Sequence, residues 1–300
     1  MTSPPVKPFM GWRFVISPQL LWMCAIAVVM SLFWWQVALA LRGNEQFLVW
    51  DDQKVTFLRG LSYIDSPYTI PGFVNPPWTL IILAPLNVIG FDIAILLQII
   101  MYFVLLALLL RKFGGGVLAA IVVFTSPLAP DAVINLDIDW IVIVGLLIPQ
   151  AWSAPLLLAK PQNALGYILS FKRQIFAWWI IGALITTLIS LLVWGWWVPD
   201  WLTQLEVSPV TWTINLAPRA LMGHTPAQIA GFLLAIYAFR RRDPVLGIFS
   251  GLFFVPYIAS YSMLMPFALL ATRSRIAAVT GSVSTWAVVL VVVNEVFNLL

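Results

Sequence analysis

The chain has 300 residues, 62% of them hydrophobic and only 9% charged, with a mean hydropathy of +0.97. One soluble core cannot absorb that much apolar surface, so the sequence reads as a polytopic all-α membrane protein, a single transmembrane domain over residues 1–300. Sixteen Lys and Arg against twelve Asp and Glu mark cytoplasmic loops and no nucleic-acid partner, while a single Cys (Cys24) and a single His (His224) exclude disulfide frameworks, zinc sites and bis-histidine haem.

The first hydrophobic run, from about Pro18 to Leu41, is long enough to cross a bilayer, with Lys7 and Arg13 before it as cytoplasmic anchors. Ala38-Leu39-Ala40 imitates a signal-peptidase site, but the run is too long for a usual signal sequence and reads as a retained helix. The positive-inside rule then places the N-terminus in the cytoplasm and residues 43–76 in a first extracytoplasmic loop.

Within that loop, DDQKVTFLRGLSY (residues 51–63) sets Val55, Leu58 and Leu61 at helical spacing, with Lys54 and Arg59 on the other side. This pattern predicts a short amphipathic helix lying on the membrane surface. Asp51 or Asp52 precedes it at the capping position. An acid at that edge, partly desolvated, also suits a general base on a substrate hydroxyl.

The loop ends in DSPYTIPGFVNPPWTLIILAPL, where Pro76-Pro77 fits the first turn of the next helix and fixes the angle of re-entry. Further runs lie near 77–90, 92–110, 117–129, 140–158, 176–198, 226–239, 245–258, 262–272 and 276–298. Several are shorter than the ~20 residues a crossing needs. Two full crossings between 77 and 110 would leave Arg111-Lys112 outside. About eight to ten helical segments, some short, broken or re-entrant, resolve that conflict, provided the broken backbone is buried in protein or lines a wet cavity. The basic clusters Lys172-Arg173, Arg240 to Arg242, and Arg273 with Arg275 mark later cytoplasmic turns, and residues 199–225 form a second main outer loop.

The order Asp51-Asp52, an aromatic-containing helix, Ser66-Pro67-Tyr68, Phe73, Asn75-Pro76-Pro77-Trp78 and LIILAPL resembles the first outer loop and second helix of GT-C superfamily glycosyltransferases. It resembles in particular the polyprenol-phosphate-mannose-dependent mannosyltransferases and their relatives. Lys160-Pro161-Gln162 and PYIASYSMLMP (residues 256–266) are similar to later segments of that family, and Asn135 to Asp139 stands loosely where it often has a polar turn. This chain is shorter than most members and lacks the glycine of that turn.

The resemblance implies a GT-C-like helical bundle, in a bacterial cytoplasmic membrane, that serves the cell envelope. It implies transfer of a sugar, mannose first, from a polyprenyl-phosphate donor to a hydroxyl of a lipid or glycan acceptor. No cofactor beyond that donor is implied, and metal dependence is left open. Asp51 takes the base role, with Asp52 as the close alternative. Arg219 and His224, then Arg59 and Lys160, are the candidates for the donor phosphate, and Tyr68, Asn75, Trp78, Asp137, Asp139 and Trp212 for the substrate lining.

Plainer readings stand beside these. Arg219 fits a headgroup-level cation, His224 fits a helix cap, and most of the 16 Trp fit interfacial belts. Lys160, if deep, needs Asp137 or Asp139 as a partner. A transporter would place ionisable groups at mid-membrane on broken helices, whereas nine of the twelve acids fall at predicted outer edges. A non-catalytic membrane subunit would instead show a shallow or blocked cavity beneath the first loop.

Overall fold

In the computed structural model, residues 17–44, 47–70, 72–207 and 215–297 are described, and they are helical with one isolated β-bridge, Asn215 to Ala259. Three helices are long and apolar enough to span a membrane: Pro18–Arg42, Phe91–Lys112 and Arg173–Trp194. Val117–Phe124 and Leu128–Asn135 make a fourth candidate if counted together, bent by 61° at their junction. The protein is an all-α membrane protein. The anchors Lys7 and Arg13 lie outside the described residues.

The three long helices divide the work of facing lipid and facing protein. Ser17 accepts from the Leu20 N–H (3.2 Å) and Pro18 sits in the first turn, so the first helix starts where its sequence signals it. Arg173–Trp194 buries almost none of its apolar surface in protein, with Leu184, Leu188 and Leu192 58%, 59% and 86% exposed. Only an apolar surrounding makes such a helix stable. Phe91–Lys112 is the central helix. It buries Ile95, Ile99, Phe103 and Leu106 completely, between Pro18–Arg42 and Asp139–Leu147.

Ahead of the central helix, Trp78–Leu83 continues as a 3-10 turn over Ala84–Ile89. The two pieces together are too short to cross a bilayer. Gly90, at φ +80°, breaks the chain before Phe91, a conformation that favours glycine. The run at 140–158, expected as one segment, is likewise divided. Asp139–Leu147 stops before Pro149, and single turns follow at Gln150–Trp152 and Ala154–Leu157.

The helix expected over 51–63 forms with a different buried stripe. It begins as a π-helix, Asp52–Phe57, and tightens through Leu58–Gly60 to a 3-10 turn at Leu61–Tyr63. Gln53, Thr56, Phe57 and Gly60 are buried, while Val55 is 40% exposed and Leu58 and Leu61 are half-buried. The apolar positions expected to face the membrane are left accessible, while the opposite side, with Gln53 bonded to the Leu136 carbonyl and to Gln98, packs into protein. Neither acid caps this helix: Asp51, at the capping position, is already helical and makes no capping hydrogen bond.

The tightest contact in the fold joins the Leu165–Ser170 turn to Pro244–Leu252. A Cβ at Gly166 would lie 1.9 Å from the Gly247 carbonyl oxygen, and one at Gly247 2.4 Å from that of Gly166. Gly247 and Gly251 form the small-x-x-x-small pattern that lets backbones meet inside membranes. Gly166→Ala is expected to destabilise the protein by roughly 3 kcal/mol or more. Gly43→Ala, which meets nothing within 4 Å, serves as the near-neutral control in the same thermal unfolding measurement.

Candidate functional site

The broken segments meet around Lys160. Its ammonium bonds Asp137, Asp139 Oδ1 (2.6 Å) and Ser262 Oγ (2.9 Å), and lies 5.5 Å from the Tyr261 ring centroid. Asn163 Nδ2 donates to the same Asp139 oxygen at 2.6 Å, and the Ile138 N–H donates to Asp137 Oδ1 at 2.5 Å. Lys160 and Asp139 are buried, Asp137 nearly so. The pairing is the one expected of a deep Lys160, which needs Asp137 or Asp139 as its partner. The cluster satisfies the rule that irregular backbone in a membrane protein is packed against protein.

Four segments supply the cluster. Leu136, at φ +31°, ends the Leu128–Asn135 helix and turns Asp137 inward, and Asp139 opens the next helix. Lys160 precedes Pro161, which disfavours helical geometry there, and it lies outside the helix at φ −146°, ψ 74°. Ser260–Met263 delivers Tyr261 and Ser262.

The first loop is fastened over this cluster by side chains that donate to backbone carbonyls. Trp50 Nε1 reaches Val133 (2.9 Å), Gln53 Nε2 reaches Leu136 (2.7 Å), Asn75 Nδ2 reaches Ala159 (2.9 Å) and Trp78 Nε1 reaches Pro155 (3.0 Å). Gln98, from the middle of the central helix, bridges Gln53 Oε1 and Trp140 Nε1. Asn75 and Trp78, expected to line a substrate, are buried and serve as struts of the loop. Trp50 adopts φ +58°, a costly conformation for a bulky residue, and it sits immediately before Asp51 as Leu136 sits before Asp137.

This fastening brings Asp52 into the cluster. The Asp52 carboxyl is pushed up to about 6 from its ordinary 3.8, first by burial and then by the Asp137 charge. Lys160 and a hydrogen bond with Tyr261 act against that rise. Tyr261 is itself raised well above the usual phenol range by burial and by Asp137 and Asp52. Asp51 makes no described ion pair.

No described interaction links the candidate phosphate ligands Arg59, Lys160, Arg219 and His224. Lys160 has three donors, and Asp137, Asp139 and Ser262 occupy all three, which is at odds with a phosphate role for it in this arrangement. His224 is exposed at the start of the His224–Arg241 helix, within 3.3 Å of Gln228, and the capping position is Gly223. Arg59 and Arg219 form no ion pair among the described residues. Asn215, four residues before Arg219, accepts from Ile258 N (3.1 Å), which anchors this end of the second loop beside the segment carrying Tyr261. Trp212 lies outside the described residues.

Sequence reasoning missed Gln53, Gln98, Asn163, Tyr261 and Ser262. The usable signal was polarity inside apolar runs, since a glutamine at mid-helix in a membrane protein needs a partner. Of the expected lining residues, Tyr68 alone borders the ≈380 Å³ cavity, which lies between residues 65–69 and 194–204.

Fold and site together define an all-α membrane protein whose first loop is clamped over a buried carboxylate and lysine cluster. No family model matches this chain, and neither does any curated protein or solved structure.

Proposed function

We propose that the protein is a GT-C-type membrane glycosyltransferase that moves a sugar from a polyprenyl-phosphate donor to an acceptor hydroxyl, with Asp52 as general base. The observation that carries this reading is Asp52 itself: a half-buried carboxyl with its acidity shifted to about 6, hydrogen-bonded to Tyr261 and fixed by a strut-fastened loop. A carboxylate of that basicity is ionised at pH 7 and still takes a proton readily. In the step, the acceptor O–H gives its proton to Asp52 as the oxygen bonds the anomeric carbon. The anomeric carbon to phosphate-oxygen bond breaks, and the polyprenyl phosphate leaves. Mannose, the extracytoplasmic face and a multi-pass bacterial cytoplasmic membrane protein with its N-terminus inside rest on the sequence resemblance and the charge pattern.

A second reading, a non-catalytic membrane subunit, is favoured by the saturated Lys160 and by a cavity that neither Asp51 nor Asp52 lines. The deciding experiment incubates purified protein in lipid discs with radiolabelled polyprenyl-phosphate-mannose or -glucose and membrane extract. Transfer by wild type, retained in Asp51→Asn and lost in Asp52→Asn with donor binding intact, is the expected outcome. Absence of donor binding across both donors would favour the subunit.

A further inference from the structure

We infer that the ≈380 Å³ cavity between the first loop and the end of the Arg173–Trp194 helix is a binding site for an organic ammonium group. Among the described residues its walls carry two carboxylates, Asp65 and Asp200, and no Lys, Arg or His. Both acids are exposed, and neither is ion-paired among the described residues. An anionic ligand meets two uncompensated like charges there.

The hydrogen-bonding inventory favours a cation over a neutral polyol. Almost every side-chain donor on the walls is already engaged. Tyr68 donates to Asn75 O (3.1 Å), Thr69 to Ser66 O (2.7 Å), and Trp194 Nε1 to Ile64 O (2.6 Å). Trp197 Nε1 donates to Ser190 Oγ (2.9 Å), Thr203 to Pro199 O (3.0 Å), and Gln204 Nε2 to Tyr68 O (2.9 Å). Gln204 Oε1 in turn accepts from Gly72 N. What remains is the Ser66 hydroxyl, the second Gln204 Nε2 hydrogen, two acceptor carboxylates and aromatic side chains.

A sugar can donate its hydroxyls to the two carboxylates but finds few free donors for its oxygen lone pairs, whereas an ammonium group needs only negative charge and π surface. Three aromatic residues, Tyr68, Trp194 and Trp197, line the walls. Tyr68 and Trp197 stack with centroids 6.0 Å apart, and their donors point away into protein. Burial and the nearby Asp200 charge both raise the Tyr68 phenol, so it stays neutral. The cavity adjoins the end of a candidate span, where lipid headgroups lie, so the ammonium comes either from an amino-headgroup lipid or from a soluble amine. This inference does not depend on glycosyl transfer.

The test uses the full chain in phosphatidylglycerol discs and follows thermal unfolding as tetramethylammonium or ethanolamine is titrated at constant ionic strength, with methyl mannoside as the neutral probe. A parallel arm replaces part of the lipid with phosphatidylethanolamine. Ammonium probes or the amino lipid raise the wild-type midpoint, and Asp65→Asn with Asp200→Asn weakens the effect about tenfold. A response to the lipid alone identifies a headgroup source, and a response to the free amines a soluble one. Equal responses in wild type and the double variant, or a response to methyl mannoside in place of the amines, overturn the proposal. Both acids are exposed, so the substitutions leave the fold intact.

Discussion

Lys160→Met lowers stability by about 3–5 kcal/mol, because it leaves Asp137 and Asp139 buried with no counter-charge. Adding Asp137→Asn and Asp139→Asn to the same chain recovers most of the loss, since an uncharged cluster carries no unpaired ion. Asp137→Asn alone is milder than Lys160→Met, because Asp139 still neutralises the ammonium at 2.6 Å. Chemical denaturation of the four proteins in one detergent provides the comparison. An unchanged Lys160→Met midpoint would show that the cluster is wet or already neutral.

Asp52→Asn is expected to have opposite effects on stability and on transfer. The folded carboxyl titrates near 6 and the unfolded one near 3.8, so between these values the native state binds more protons. Stability from this group is full below about 3.8 and is lost as pH rises through 6. The Asn variant therefore matches wild type near pH 4 and exceeds it at pH 8, by on the order of 2 kcal/mol. Under the proposed mechanism its transfer rate falls by about 10²–10⁴, and wild-type transfer rises with pH through about 6. A variant that lost transfer while becoming less stable at pH 8 would make Asp52 structural.

The long elements were readable from hydropathy because lipid imposes a length and an apolar surface on any crossing helix. Pro18–Arg42 matches the expected run to within a residue, and Arg173–Trp194 lies within four residues of the expected 176–198. The site was less readable for the same reason. Hydropathy treats a buried Gln53 or Asn163 as surface. The pairing of Lys160 with Asp137 and Asp139 was readable, because a deep ammonium needs a carboxylate, but the packing of broken helices that adds Asn163, Tyr261 and Ser262 was not. Proline marked where the chain breaks, at Pro76-Pro77, Pro149 and Pro161, without telling which fragments would meet. The two adjacent acids at 51 and 52 were separated only by the helix phase, which turns one of them toward Asp137 and Tyr261.

The four struts of the first loop all end on carbonyl oxygens. A side chain bonded in this way senses the path of the opposite backbone and is indifferent to which residue lies there. Over evolutionary time Val133, Leu136, Pro155 and Ala159 are therefore free to drift among residues that keep that path, while Trp50, Gln53, Asn75 and Trp78 are not. Covariation between the two sets would be nearly silent despite direct contact. The loop's attachment would be recorded as four isolated constant positions, each with a partner that leaves no trace.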